Sequence, residues 1–142
     1  ALPESTKQRI NDLWVTYSEV KSWNVIDPEL VPLTEEEKRH FPDVTHPFVR
    51  THPETSRKVL FVGMRGSQCS IVEGMNEVEG VAFLDGLRAF ATQPQFTYCH
   101  QWRPGDAMLW DNRCTMHKAT IFDDSLGPRL CYRTTISGDV PY

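Results

Sequence analysis

Trp110-Asp111-Asn112-Arg113-Cys114-Thr115-Met116-His117-Lys118-Ala119-Thr120, with Arg129 and Arg133 beyond it, is the stretch on which the reading of this chain turns. A short apolar run ends in a polar corner, a histidine follows, and a later apolar run carries two arginines. A neutral imidazole offers a lone pair to a metal. A guanidinium grips a carboxylate through two parallel hydrogen bonds. Alternation along residues 129–137, read as a strand, sets Arg129, Cys131 and Arg133 on one face. Charges on the inner face of a sheet are costly unless paired, so two arginines there call for anionic partners.

The flanking sequence reads as strands and turns. Residues 96–102 form a strand pattern with Phe96, Tyr98, His100 and Trp102 on one side. His100 therefore reads as a hydrogen-bonded strand histidine among aromatic rings. Arg103-Pro104-Gly105-Asp106 has the Pro-Gly signature of a type II turn. Residues 107–110 and 114–119 are the next strands; Asp111 and Asn112 hold the corner between them by side-chain-to-backbone bonds, and Arg113 helps to fix it. Residues 122–128 are a loop, 129–137 the last strand and 138–142 its exit.

The first part of the chain adds helices. Ile10, Leu13, Trp14, Tyr17 and Val20 recur at helical spacing, which predicts an amphipathic helix over residues 4–21 with Ser5 as N-cap. Its apolar face is a candidate subunit contact in a homo-oligomer. Residues 22–33, with Pro28 and Pro32, read as a loop. Thr34-Glu35-Glu36-Glu37 matches a capping box for a short helix running to about His40, where the imidazole suits the negative helix end. Residues 44–51 and 59–63 are strand candidates that could pair as a hairpin across a turn-rich segment. Residues 64–74, with Gly66, two serines and Cys69, read as an irregular solvated loop. Residues 76–92 form a second helix whose broad apolar face is interrupted by Gly80 and Gly86, consistent with close packing on a sheet.

Bulk properties set limits. A chain of 142 residues can bury one core. A formal net charge of −4 argues against a nucleic-acid partner, since there is no cation excess to displace counterions from phosphates. No apolar run approaches membrane-spanning length. Cys69, Cys99, Cys114 and Cys131 form no C-x-x-C pair, so a structural zinc site is not indicated and a reducing cytoplasm suits the chain. The opening Ala1-Leu2-Pro3 reads as the middle of a longer protein.

Trp110-Asp111-Asn112-Arg113 with His117, Arg129 and Arg133 resembles the distal half of the active site in taurine dioxygenase-like enzymes, which depend on Fe(II) and 2-oxoglutarate. The resemblance extends to the run from Thr45-His46-Pro47 through His52-Pro53-Glu54-Thr55, and to Trp102-Arg103-Pro104-Gly105-Asp106. It implies a mainly β fold with flanking helices, a distorted double-stranded β-helix (jelly roll) of which this chain supplies the later strands. Residues 1–142 would then be the C-terminal part of a single dioxygenase domain, poorly soluble without a companion segment. The family's first metal motif, His-x-Asp or His-x-Glu, is absent. His52-Pro53-Glu54 matches by letter, but in the family it lies at a strand end and turn away from the metal. Loops in the neighbourhood of residues 64–74 can approach the substrate in the family, so the resemblance makes Arg65, Ser67 or Cys69 candidates to line the pocket.

By resemblance, His117 is the second histidine ligand of Fe(II), Arg129 binds the distal carboxylate of 2-oxoglutarate, and Arg133 meets an anionic group of the substrate. The implied reaction couples decarboxylation of 2-oxoglutarate to hydroxylation, by molecular oxygen, of a small anionic substrate such as a sulfonate or phenoxyacid. Other readings stay open. Arg129 could pair with Asp123, Asp124 or Asp139, Arg133 could brace the loop, and the chain could be a non-catalytic jelly-roll module that binds small anions, or a pseudoenzyme.

Overall fold

The computed structural model describes residues 1–26, 29–62 and 67–138. Its order is α1 (Glu4–Ile10), β1 (Trp14–Tyr17), α2 (Glu19–Ile26), α3 (Glu35–Lys38), β2 (Val44–Pro47), β3 (Val49–Thr51), β4 (Lys58–Leu60), a 3-10 turn (Ser67–Cys69), β5 (Ser70–Val72) and α4 (Glu77–Ala91). Two further single 3-10 turns, Pro94–Phe96 and Asp124–Leu126, lie beyond.

The helix expected over residues 4–21 is not continuous. Pro3, not Ser5, stands at its N-cap, and it stops at Ile10. The turn formers Asn11 and Asp12 interrupt it. Trp14, Val15, Thr16 and Tyr17 are aromatic or β-branched and favour a pleated surface, so they become β1 despite their helical spacing. The helix then resumes as α2, which starts at Glu19 within the expected helix and runs on to Ile26 in the segment read as a loop. No continuous apolar helix face is left to serve as the subunit contact.

β1 is the middle strand of an antiparallel sheet ordered β2-β1-β5. Val15 faces His46 on one neighbour and Val72 on the other, and this row points inward. Thr16, Thr45 and Ile71 form the outward row, where the two threonine hydroxyls are 2.8 Å apart. β3 and β4 make a separate hairpin, as the sequence suggests, with Val49 opposite Leu60 and Thr51 opposite Lys58. The strand candidate over 44–51 thus divides at Phe48. Its backbone N–H donates to Leu13 O and its carbonyl accepts from Phe61 N, which links the two sheets.

Ile10, Val15, Phe48, Val62, Val72, Leu84 and Leu87 form the buried core. α4 closes it. Its first turn carries a reciprocal cap, in which Asn76 Oδ1 accepts from Glu79 N and Glu79 Oε2 accepts from Asn76 N. The capping box at Thr34 and Glu37 also forms, and His40 Nδ1 lies 3.0 Å from Glu36 O at the end of that short helix. A Cβ on Gly80 would rest 3.6 Å from a Val72 methyl, an ordinary van der Waals contact, and one on Gly86 would meet nothing within 4 Å, so close packing requires neither glycine.

Of the segment 64–74, read as an irregular loop, the described residues 67–72 form a 3-10 turn and β5. Ser67 and Cys69 are buried rather than pocket-lining, and the Ser67 hydroxyl donates to Asp85 on α4. Arg65, the third candidate there, lies outside the described residues.

The strands expected at 96–102, 107–110, 114–119 and 129–137 do not form. A helix satisfies its backbone internally, whereas a strand needs a neighbour. The apolar side chains of this segment are left in solvent: Leu109 is 91% exposed, Tyr132 92% and Ile136 84%. Local structure persists where it needs no neighbour. The 103–106 turn closes with Asp106 N donating to Arg103 O, and Gly105 takes the positive φ of 88° that a type II turn requires.

Candidate functional site

The corner after Trp110 is built around one carboxylate. Asp111 Oδ1 accepts from Arg113 N at 2.8 Å, and Asp111 O accepts from the backbone of Cys114 and Thr115. The Arg113 guanidinium folds back onto the same carboxylate, with Nε at 2.9 Å from Oδ1 and Nη2 at 2.6 Å from Oδ2. Asn112 braces the corner differently from expectation: its side-chain oxygen accepts from Trp110 Nε1 at 2.8 Å rather than bonding the backbone.

This corner is fastened to the β3–β4 turn. His52 Nε2 lies 3.0 Å from Asp111 Oδ2. The other ring nitrogen, Nδ1, accepts from Thr55 N at 3.3 Å and lies 3.4 Å from Glu54 Oε2, so the ring touches both acidic members of the group. Arg113 Nη1 donates to Glu54 Oε1 at 2.8 Å. Of the four groups His52 is the sheltered one, with 10% of its side chain exposed against 31% for Asp111.

The charges follow this wiring. Arg113's side-chain and backbone donors, then His52, hold the Asp111 carboxyl well below the usual carboxylate range. The hydrogen bond from Arg113 lowers Glu54 as well. Arg113 is pushed above its ordinary value, first by Asp111 and then by Glu54. One nitrogen of His52, one oxygen of Asp111 and the sulfur of Cys114 lie within 4.8 Å of one another. A cation there would have to displace a guanidinium already seated on the carboxylate, so the group reads as a clasp, not a metal centre.

His117 follows the corner, its ring 4.8 Å from that of Trp110 and tilted by 54°. Among the described residues neither ring nitrogen is engaged in a protein hydrogen bond. Arg129 lies over the Phe122 ring at 5.7 Å, and Arg133 Nη2 donates to Thr135 Oγ1 at 3.5 Å. Among the described residues no hydrogen bond or ion pair joins His117, Arg129 and Arg133 to one another. With no strand over 129–137, the shared face expected for the two arginines is absent too.

The other histidines are occupied. His46 packs between Tyr17 and Phe61, where burial and then the nearby Arg50 disfavour its charged form. His100 bonds Asp106 through Nε2 and packs edge-on against Trp102 at 4.7 Å, which fits the hydrogen-bonded reading. Sequence reasoning located the corner but missed its fastening to His52 and Glu54. The available signal was chemical complementarity, His-x-Glu against Asp-x-Arg, and nothing local pairs segments so far apart.

The family model described as taurine catabolism dioxygenase TauD, TfdA family, matches residues 1–135. The chain belongs to the TauD/TfdA family. Among relatives, the alpha-ketoglutarate-dependent 2,4-dichlorophenoxyacetate dioxygenase of Burkholderia sp. (strain RASC) is 35% identical over 136 residues, covering 95% of this chain and 44% of the relative. The alpha-ketoglutarate-dependent sulfate ester dioxygenase of Pseudomonas putida is 28% identical over 151 residues, covering 99% of this chain and 47% of the relative. The crystal structure of AAD-2 in complex with Mn(II) and N-oxalylglycine superposes with a TM-score of 0.62 at 35% identity, covering 72% of this chain and 39% of that one. The chain thus spans less than half the length of these relatives.

The span matched to the TauD/TfdA model takes in the corner, His117, Arg129 and Arg133. His117 suits a metal by its donor chemistry, since its imidazole is exposed and its nitrogens are uncommitted. Among the described residues the group close enough to hold a metal is His52, Asp111 and Cys114, and no second histidine and carboxylate gather around His117. Among the described residues no helix is long and apolar enough to cross a membrane.

Proposed function

We propose that the protein is an Fe(II)- and 2-oxoglutarate-dependent dioxygenase that hydroxylates a small anionic organic substrate of the phenoxyacid, sulfate-ester or sulfonate class. The observation that carries this is the family match over residues 1–135, which includes the corner, His117 and both arginines. Residues 1–142 are then the C-terminal part of a single dioxygenase domain and supply the later strands of a jelly roll. The exposed apolar side chains after residue 97 support this, because they need a second sheet to cover them.

In this reading His117 is one protein ligand of Fe(II), its ring steadied by Trp110. Arg129 holds the distal carboxylate of 2-oxoglutarate in a charge-assisted pair, and Arg133 receives the anionic group of the substrate. Neither guanidinium has a carboxylate partner among the described residues, which leaves both open to a bound anion. When bound, iron and 2-oxoglutarate supply the oxidising chemistry, with succinate and carbon dioxide as by-products; the protein orients the C–H bond and excludes water. Four free thiols accord with a reducing, cytoplasmic setting.

The test is made on the full-length protein. Anaerobic Fe(II) with 2-oxoglutarate is expected to give a weak visible charge-transfer band that disappears in His117→Ala. Succinate release should depend on a substrate from a panel of phenoxyacids, sulfate esters and sulfonates. No band and no succinate with any of them would move the protein to the other reading, a non-catalytic module that binds small anions.

A further inference from the structure

The four-group clasp of His52, Glu54, Asp111 and Arg113 joins parts of the chain that share no sheet. His52 and Glu54 sit on the turn of the β3–β4 hairpin, which the core holds through Phe48. Asp111 and Arg113 sit on the corner that leads to His117. Between described residues, the hydrogen bonds that run from the segment after residue 97 back to the folded body are His52 to Asp111 and Arg113 to Glu54. From the corner the contact passes outward: Asn112 fixes the Trp110 indole through its N–H, and the indole lies against the His117 ring.

We infer that His52 and Glu54 are positioning residues for the metal ligand, setting the place and tilt of His117 through Asp111, Arg113 and Trp110. The inference rests on the dioxygenase reading, because it needs His117 to bind the metal. A ligand ring held through a chain of hydrogen bonds and packing is pre-organised, and its affinity suffers when a link is cut. Orientation matters at the first link. The bond to Asp111 comes from Nε2, the far ring nitrogen, and a glutamine amide nitrogen reaches about that position while an asparagine amide does not.

The experiment measures Co(II) binding to the full-length protein, without oxygen, by the metal's visible absorption, alongside thermal melting of the metal-free form. His52→Ala is expected to weaken Co(II) binding about tenfold. His52→Gln should restore most of the loss and His52→Asn should not. Unchanged affinity in a folded His52→Ala, or equal rescue by Asn and Gln, overturns the proposal. Should His52→Ala fail to fold, Glu54→Gln carries the test, since it removes the charge of an exposed side chain that meets both Arg113 and His52 Nδ1 and leaves the His52 and Asp111 side chains themselves unchanged. It is expected to weaken Co(II) binding with melting unchanged, and unchanged affinity overturns the proposal. His117→Ala separates the two readings. If it leaves Co(II) binding intact, the metal assignment fails; if it abolishes binding while the clasp variants bind normally, the clasp alone is refuted.

Discussion

His52 Nε2 and Asp111 Oδ2 lie 3.0 Å apart across 59 residues of sequence. The bond crosses from a hairpin turn to a polar corner that no sheet connects. Because Arg113 grips the same carboxylate and also reaches Glu54, breaking any one member leaves the others with an altered partner set.

The corner is expected to loosen in acid. Asp111 and Glu54 both have lowered folded-state pKa values, so their contribution is fully present above the ordinary carboxylate range and is lost as pH falls through the folded values. The groups that face Asp111 are the Arg113 guanidinium and, from the hairpin turn, the His52 imidazole; Cys114 adjoins it on the corner. A variant keeping Trp110 as its sole tryptophan, with His117→Gln to remove the imidazole that lies 4.8 Å from the indole, should show stable emission from neutral pH down to that range and a change below it. Because the pairs are largely exposed, added salt should weaken the hold. A change centred well above the carboxylate range would contradict this wiring.

Gly80 and Gly86 should both gain stability as alanine. At Gly86 a Cβ meets nothing within 4 Å, so Gly86→Ala is expected to stabilise by about 0.5–1 kcal/mol through helix propensity. At Gly80 the new methyl would rest on Val72 at 3.6 Å, an ordinary van der Waals contact, so Gly80→Ala should gain at least as much, by packing added to propensity. Urea unfolding of the two variants checks the order.

The Asn76 cap is isolated enough to measure. Asn76→Ala removes the acceptor for Glu79 N and is expected to cost about 1 kcal/mol. Asn76→Ser should retain most of it. Equal stability of all three proteins would show that the α4 start is held by packing alone.

Phe48 links the two sheets and is fully buried, so Phe48→Ala is expected to cost about 3–5 kcal/mol. Leu109, 91% exposed, gives the opposite result in the isolated chain, where Leu109→Ser should leave the melting temperature unchanged and raise solubility. In the full-length protein, if a second sheet covers this segment as proposed, the same change should destabilise.

Legibility in the sequence followed the range of the forces involved. The capping box at Thr34, α4, the β3–β4 hairpin, the type II turn at Pro104-Gly105 and the Asp111 corner each depend on groups a few residues apart, and each was readable. Residues 4–21 misled because Ile10, Leu13, Trp14 and Tyr17 satisfy a helical period while the turn at Asn11-Asp12 and the β-favouring run after it decide the outcome. Residues 70–72 were missed because a three-residue strand carries no period of its own and forms only because β1 lies beside it.

Family membership rests on the order of residues, and so do the candidate roles of His117, Arg129 and Arg133, since side-chain chemistry and spacing are written in the chain itself. Tertiary structure alone decided which strands exist and what the corner is fastened to. A strand's hydrogen bonds belong half to its neighbour: Val15 found His46 and Val72, whereas Leu109 and Tyr132 found no strand to pair with. The His52–Asp111 bond likewise belongs to two distant segments at once, and only the folded backbone brings them within reach.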